Sequence, residues 1–416
     1  LKGSLRKAES PWGVFLLCWF AYAVSYLGRM NLAIAIPSMQ QAGVAGLKDL
    51  GLAGSLYFWC YGAGELLNGF LGDLLPVRAM IFVGLMLSAA MNLSVAAFHT
   101  PLLIMIFWSM NGFFLSMLWG PIIRLIGERA PDSKQGIMSM LMNMSLGAGS
   151  FLSWFALGRT IDSRSDWRFA FWIPAGVAAA MAFIWLVLCP DERKPGTAEA
   201  RPPHLAAPQS APRGSFWKSF WRSRLYLIIL AGMAQGMAKD GLTLWLPTLM
   251  RARYPELPET DLVNFISLIP MFNALGILAV AVLLHRSSFN YRSASIALFI
   301  IAVLDLLLVV FFRLPFIITL LAFCILSLLI ALINAFLLGF VPMRFAKTRR
   351  VSTVAGLLDF FAYLAAGLFS FISGSLLESG SASSSGTGGN RIFVFLLFEM
   401  IFGVLAMIPA PREIDE

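Results

Sequence analysis

The sequence predicts an all-α membrane protein: twelve transmembrane helices arranged as two pseudo-symmetric six-helix bundles. Three observations carry that expectation. The chain of 416 residues is 59% hydrophobic and 13% charged, where a soluble domain is roughly 45–50% apolar and about 25% charged. Its mean hydropathy of +0.78 leaves most of the length facing something other than water. Twelve apolar runs can each be drawn long enough to cross a bilayer, and the first and seventh carry the same cation-and-proline pattern. A freely diffusing enzyme, a disordered chain, collagen and a disulfide scaffold are excluded by composition alone.

The runs are 12–37, 50–75, 79–98, 101–125, 135–158 and 168–189, then 224–249, 262–284, 293–312, 315–342, 351–377 and 392–409. A spanning helix needs about 20 mostly apolar residues, and charged or turn-forming residues end the runs. Lys48–Asp49 separate the first two, Asp73 to Arg78 the second and third, and His99–Thr100–Pro101 the third and fourth. Glu128–Arg129–Ala130–Pro131–Asp132 separate the fourth from the fifth. The Pro- and Ala-rich stretch after Pro190 reads as a flexible, semi-extended linker, which divides the chain into bundles at 1–189 and 224–416 joined by 190–223. A second irregular stretch, Ser379 to Asn390, is Gly/Ser-rich and is expected to be disordered outside the membrane.

Positively charged loops stay cytoplasmic. With the N-terminus inside, 21 of the 31 Lys and Arg fall on inner segments and eight on outer ones, while Arg29 and Lys239 lie within spans. Both termini are therefore expected in the cytoplasm, with the protein multi-pass in the plasma (inner) membrane. The N-terminal residues do not read as a cleaved signal peptide. The net charge of +9 is a topology signal and not a nucleic-acid footprint. Cys18, Cys60, Cys189 and Cys324 form no CxxC pair, and His99, His204 and His285 have no ligand partners at metal spacing. No metal or cofactor is expected. The NxS sequons at Asn92 and Asn143 lie inside apolar segments beyond the reach of glycosylation.

Arg29 precedes Pro37 by eight residues and Lys239 precedes Pro247 by eight, each inside an apolar helix. An isolated cation at that depth costs at least ~2.5–3.5 kcal/mol, so each must face a polar interior, a carboxylate or a ligand. Helical spacing puts Tyr22, Ser25, Tyr26 and Arg29 on one stripe, and Gln235, Lys239 and Thr243 on another. Among the acids within spans, Glu65 shares a face with Tyr61 and Asn68, and Asp359 with Ser352, Gly356 and Tyr363. Asp240 is a further charge partner for Lys239. Asp305 and Glu399 have apolar neighbours and read as structural.

With these residues in view, the whole chain resembles the major facilitator superfamily, and within it the organophosphate:phosphate antiporters, the glycerol-phosphate and hexose-phosphate transporters. GFLGDLLPVR, with Gly69, Gly72, Asp73 and Arg78, resembles the superfamily's GxxxD…R loop signature. NGFFLSMLWGPIIR, with Asn111, Gly112, Trp119, Pro121 and Arg124, is similar to the family's span-four run. YLGRMNLAIAIP resembles its YxxRxNxxxAxP pattern, KDGLTLWLPT its span-seven segment, and GLLDFFAYL its span-eleven segment. The resemblance puts Arg29 on the first substrate-phosphate arginine and Lys239 where many members carry the second. It also implies a gating role for Asp73, Arg78 and Arg124. The chain departs from the family at Glu65, where transporters it resembles carry a lysine, at Ser145 in place of a histidine, and at Asp359 in place of a small residue. These departures favour a less anionic or zwitterionic solute, or proton coupling, over a doubly charged phosphate ester.

The expected function is secondary active transport of a small organic anion, a phosphate ester or carboxylate, by alternating access and in exchange mode. Arg29, Lys239, Tyr22, Tyr26, Gln235 and Tyr363 are the candidate substrate ligands, and Glu65, Asp359 and Asp240 the candidate coupling or charge-balancing acids. Asn143, Ser145 and Asn334 are candidates for lining the site. Expected partners are the anionic solute, inorganic phosphate or a proton as coupling species, and the bilayer; no nucleic acid is expected, and the chain is expected to be monomeric. Two alternatives stand beside this reading: a proton-coupled organic-anion symporter, and a transport-dead membrane sensor of such a solute. No nucleotide loop, nucleophile elbow or metal motif supports an enzyme.

Overall fold

A computed structural model of the chain describes residues 10–164, 166–190, 220–284, 290–345, 351–381 and 388–411. Most of the linker at 190–223 therefore lies outside the described residues, as do 382–387 of the second irregular stretch. The ends of that stretch are helical and not disordered, because the eleventh helix continues to Ser381 and the twelfth begins at Gly388.

Among the described residues, twelve helical stretches follow the twelve apolar runs to within a few positions. They are α1 (Pro11–Gln41), α2 (Leu47–Leu74), α3 (Val77–Ala97), α4 (Pro101–Arg129), α5 (132–164), α6 (Phe169–Leu188), α7 (225–253), α8 (259–284), α9 (Tyr291–Phe311), α10 (Phe316–Met343), α11 (Val351–Ser381) and α12 (Gly388–Met407). Eight are long and apolar enough to count as membrane spans. Local chemistry fixes several ends. Ser10 caps α1 by accepting the Gly13 N–H at 3.0 Å, with Pro11 in the first turn where its missing N–H costs nothing. Gly43, at φ +67°, takes the left-handed turn after α1 that only glycine adopts freely. Asn290 caps α9 by accepting from the N–H groups of Arg292 and Ser293.

Five of the twelve stretches are interrupted. α4 breaks at 116–118, between Pro101–Leu115 and Trp119–Arg129. α5, α7 and α10 each contain a π-helical turn, at Ser153–Leu157, Met237–Gly241 and Ala335–Phe340. α8 has a short break at 267–268.

The described residues form two compact units, one from 10–45 and 60–190 and the other from 46–59 and 220–411. In the first, α1 packs on α5 and α6, and α3 on α4 and α6. In the second, α7 packs on α11 and α12, and α9 on α10 and α12. Each pairing recurs six helices later, which is the internal repeat written as packing. Small residues make the first unit's contacts close: Ala89 of α3 meets Ala175 and Ala178 of α6, with Val24 of α1 against them. In the second unit the first half of α2 is joined to α11 by side chain–backbone hydrogen bonds. Ser55 donates to Gly367 O at 2.7 Å, Ser370 to Gly51 O at 2.9 Å and Trp59 Nε1 to Leu364 O at 3.1 Å, and the Glu378 carboxylate accepts the Lys48 N–H at 2.6 Å.

The outside of these units inverts the pattern of a soluble protein. Phe311, Phe398, Leu102 and Leu304 are all more than half exposed, while Asn31, Asn111, Gln235 and Ser145 are fully buried.

Candidate functional site

In the first unit Arg29 sits on α1 between two aromatic faces. Its guanidinium carbon lies 4.3 Å from the Tyr61 ring centroid, on α2, and 5.1 Å from that of Tyr26, one turn earlier on α1. Such stacking holds a planar cation without discharging it, worth about 2 kcal/mol when desolvated. Tyr22 continues the wall: its ring centroid is 5.4 Å from that of Tyr26 and 4.8 Å from that of Trp119 on α4. Arg29, Tyr26, Tyr61 and Glu65 all lie within electrostatic range of Tyr22, so the half-buried Glu65 belongs to the same cluster. Ser25 shares the stripe but its hydroxyl donates back to Tyr22 O at 2.7 Å. Asn68, one turn beyond Glu65, is spent on the α4 break, donating to Ser116 Oγ at 2.7 Å.

α5 reaches this wall through Gly149. A Cβ there would sit 2.3 Å from Ala23 O and 2.6 Å from Tyr26 Cβ, so only glycine permits this approach to α1. Ser145, one turn earlier, is fully buried and bonded to Met142 O of its own helix, while Asn143 is half-buried.

In the second unit Lys239 and Asp240 lie in the π turn of α7. Lys239 Nζ is 3.5 Å from Asp240 Oδ2 and 6.0 Å from the Tyr363 ring centroid on α11. Neighbouring side chains on an α-helix diverge by about 100°, and the wider π turn narrows that angle. The same turn alters the α-helical spacing that puts Gln235, Lys239 and Thr243 on one stripe; Thr243 Oγ1 donates to Lys239 O. Asp359 lies within electrostatic range of both Lys239 and Asp240. The helices meet closely here because Gly236 abuts the Ala362 backbone, where a Cβ would come within 2.4 Å of the carbonyl oxygen. Gln235 is fully buried and neither of its amide atoms has a hydrogen-bond partner among the described residues. Asn334 precedes the π turn of α10, and its Oδ1 is also buried without such a partner.

The loop-signature residues lie at helix ends. The Arg78 guanidinium donates to Leu186 O in the last turn of α6, and the Arg78 carbonyl accepts from Trp185 Nε1 at 3.2 Å. Arg124 donates to Gly72 O, in the last turn of α2, at 2.7 Å and to Glu128 at 2.8 Å. Both arginines thus cover C-terminal carbonyls that a helix leaves unsatisfied. Asp73 lies in the last turn of α2, and its side chain is outside the described residues. Among the described residues no group of histidine, cysteine and acidic side chains could hold a metal ion.

Two features of these clusters go beyond sequence reading. The π turn under Lys239 has no compositional mark, since Met-Ala-Lys-Asp-Gly fits an α-helix. The contribution of Trp119 to the Tyr22 wall was hidden inside a motif; its signal is an aromatic directly after the α4 break.

Known proteins resemble this chain at the level of both sequence and fold. It is 27% identical over 182 residues to a probable hexose phosphate transport protein of Chlamydia muridarum, covering 43% of this chain and 40% of that protein. It is 29% identical over 184 residues to the glycerol-3-phosphate transporter of Bacillus subtilis, covering 43% of this chain and 41% of that protein. The chain thus aligns with about two fifths of the length of each of these relatives. The solved structure of a bacterial homologue of the human lysosomal transporter Spinster matches with a TM-score of 0.76 at 13% identity, covering 96% of this chain and 97% of that one. The family model of the Major Facilitator Superfamily matches residues 18–370, and the chain belongs to that superfamily.

Proposed function

We propose that the protein is a secondary active transporter of a small organic anion, carrying a phosphate ester or carboxylate by alternating access and in exchange mode. The observation that carries this reading is the pair of cations, Arg29 and Lys239, at matching positions in the first helix of each half, each held beside aromatic rings. Arg29 offers a planar fork to an oxyanion and Lys239 a point charge. Tyr22, Tyr26 and Tyr363 supply aromatic walls, and Gln235 a buried amide with donor and acceptor capacity to spare. The division into bundles at 1–189 and 224–416, the cytoplasmic termini and the plasma-membrane location belong to the same reading. Asp73, Arg78 and Arg124 act at helix ends in gating, and Asn143, Ser145 and Asn334 line the path.

The cluster around Lys239 includes two carboxylates, Asp240 and Asp359, and the Arg29 cluster includes Glu65. That balance favours a solute whose charge is low or zwitterionic, and it supports a second reading in which one acid carries a proton during symport. The test is a thermal-shift screen of the purified protein with glycerol 3-phosphate, glucose 6-phosphate, inorganic phosphate, simple carboxylates and amino-sugar acids, because a ligand stabilises the state it binds. Counterflow in liposomes with the best binder should follow, and tight binding without counterflow identifies a sensor and overturns transport. Replacing Glu65 or Asp359 by the neutral amide should leave counterflow intact under the exchange reading. Loss of pH-gradient-driven uptake with counterflow preserved would establish the symporter instead.

A further inference from the structure

Arg29 occupies one face of α1; the opposite face is held by a closed circuit of buried amides. Asn31 Nδ2 donates to Asn92 Oδ1 of α3 at 2.8 Å, and Asn92 Nδ2 donates to Asn111 Oδ1 of α4 at 3.2 Å. Asn111 Nδ2 then donates back to the Gly28 carbonyl of α1 at 2.9 Å. The circuit begins and ends on α1, at residues on either side of Arg29. Each amide is braced a second time: Asn31 to Ala170 O of α6 at 2.9 Å, Asn92 to Ser88 O at 3.0 Å, and Asn111 by the Ser88 hydroxyl at 2.6 Å. Ser88, Asn92, Asn31 and Asn111 are each at most 1% exposed.

At about 100° per residue, Gly28 and Asn31 share a direction roughly 130° from that of Arg29. A helix pinned on one face at two points can neither rotate nor slide, so the direction of the other face is set. Elsewhere on α1, Ser153 Oγ of α5 donates to Leu27 O at 3.2 Å, while Val24 packs on alanines and Gly149 permits closeness without specifying rotation. Hydrogen bonds between spans are the directional element of membrane helix packing, and a closed, doubly braced set loses more than one bond when any member is removed.

The second unit supplies an internal contrast. By the proline register Asn31 corresponds to Gly241 and Gly28 to Ala238, which lie in the π turn and offer no amide. Asn334 stands in the context Asn-Ala-Phe-Leu-Leu-Gly, parallel to Asn111 in Asn-Gly-Phe-Phe-Leu-Ser, yet its Oδ1 has no hydrogen-bond partner among the described residues. The amide circuit belongs to the half that carries Arg29.

We propose that Asn31, Asn92 and Asn111 are positioning residues for Arg29, fixing the rotation of α1 so that the guanidinium stays between Tyr26 and Tyr61. The consequence for binding rests on the reading of Arg29 as an anion ligand; the consequence for geometry does not, and the experiment separates the two. In an Arg29→Cys, Cys60→Ser protein, the rate of modification of the residue-29 thiol by 2-aminoethyl methanethiosulfonate is followed by mass spectrometry well below the melting temperature. Adding Asn111→Ala should change that rate by about fivefold or more, since thiol reactivity follows its surroundings. Adding Ser109→Ala should not, because among the described residues that buried hydroxyl bonds to Met105 O in its own helix and to no other group. With Arg29 intact, Asn111→Ala should weaken stabilisation by glycerol 3-phosphate by about tenfold in apparent affinity. If glycerol 3-phosphate does not stabilise even the unaltered protein, the phosphate-ester reading falls and the labelling result still decides the positioning claim. Should Asn111→Ala fail to fold, Ser88→Ala, which removes one donor to the same amide, replaces it in both arms. An unchanged labelling rate in the folded variant overturns the proposal.

Discussion

Arg29 and Lys239 carry the same charge in different company: two aromatic rings stack on the first, with Glu65 in the same cluster, while Asp240 and Asp359 lie close to the second. Stacking between two rings requires a planar cation at position 29, whereas the contact with Asp240 requires only a point charge at position 239. The two substitutions should therefore differ. Arg29→Ala should abolish anion-induced stabilisation, and Arg29→Lys should do nearly as badly, because an ammonium cannot reproduce the planar stack on Tyr61. Lys239→Arg should retain most of the binding. Ligand titrations of the three purified variants measure this, and wild-type affinity in Arg29→Ala would remove the central claim. These two residues were legible in the sequence because a charge inside an apolar run is conspicuous without coordinates. Asn92 was not: within a helix an asparagine followed by Leu-Ser reads as a stray sequon, and its worth lies in partners 61 and 19 residues away.

At the scale of the helix, the same logic separates what the pattern shows from what it hides. The positions of the helices follow from runs of about 20 apolar residues, and the proline and polar residues that end them are local signals. The π turns are not local signals, since each depends on what the helix packs against. In α7 the turn sets the direction of Lys239 and Asp240 relative to Gln235. Deleting Ala238 should allow α-helical winding to resume, turning Lys239 by about 100° against the preceding half of the helix. The variant should insert and keep its helical circular dichroism while losing anion-induced stabilisation. Unaltered stabilisation would show that the π turn has no part in aiming the lysine. The division of α2, whose first half is bonded to α11, was equally hidden, because the serines and glycines concerned carry no sign of which neighbour they meet.

For the molecule as a whole, repetition was the most readable property: the packing of α1 on α5 and α6 returns as that of α7 on α11 and α12. Orientation rests on charge alone, and it can be measured. A cysteine at the exposed Ser163, at the end of α5, should react with a membrane-impermeant maleimide added to intact cells, whereas one at the exposed Leu75 should react only after permeabilisation. The reverse pattern would invert the topology. The outward-facing phenylalanines and leucines carry a different consequence. In water such a surface drives association, so no stability can be assigned to this chain by itself. What unfolds in a melting experiment is a protein together with its amphiphile, and the thickness of the surrounding hydrocarbon becomes a thermodynamic variable of the fold on the same footing as temperature.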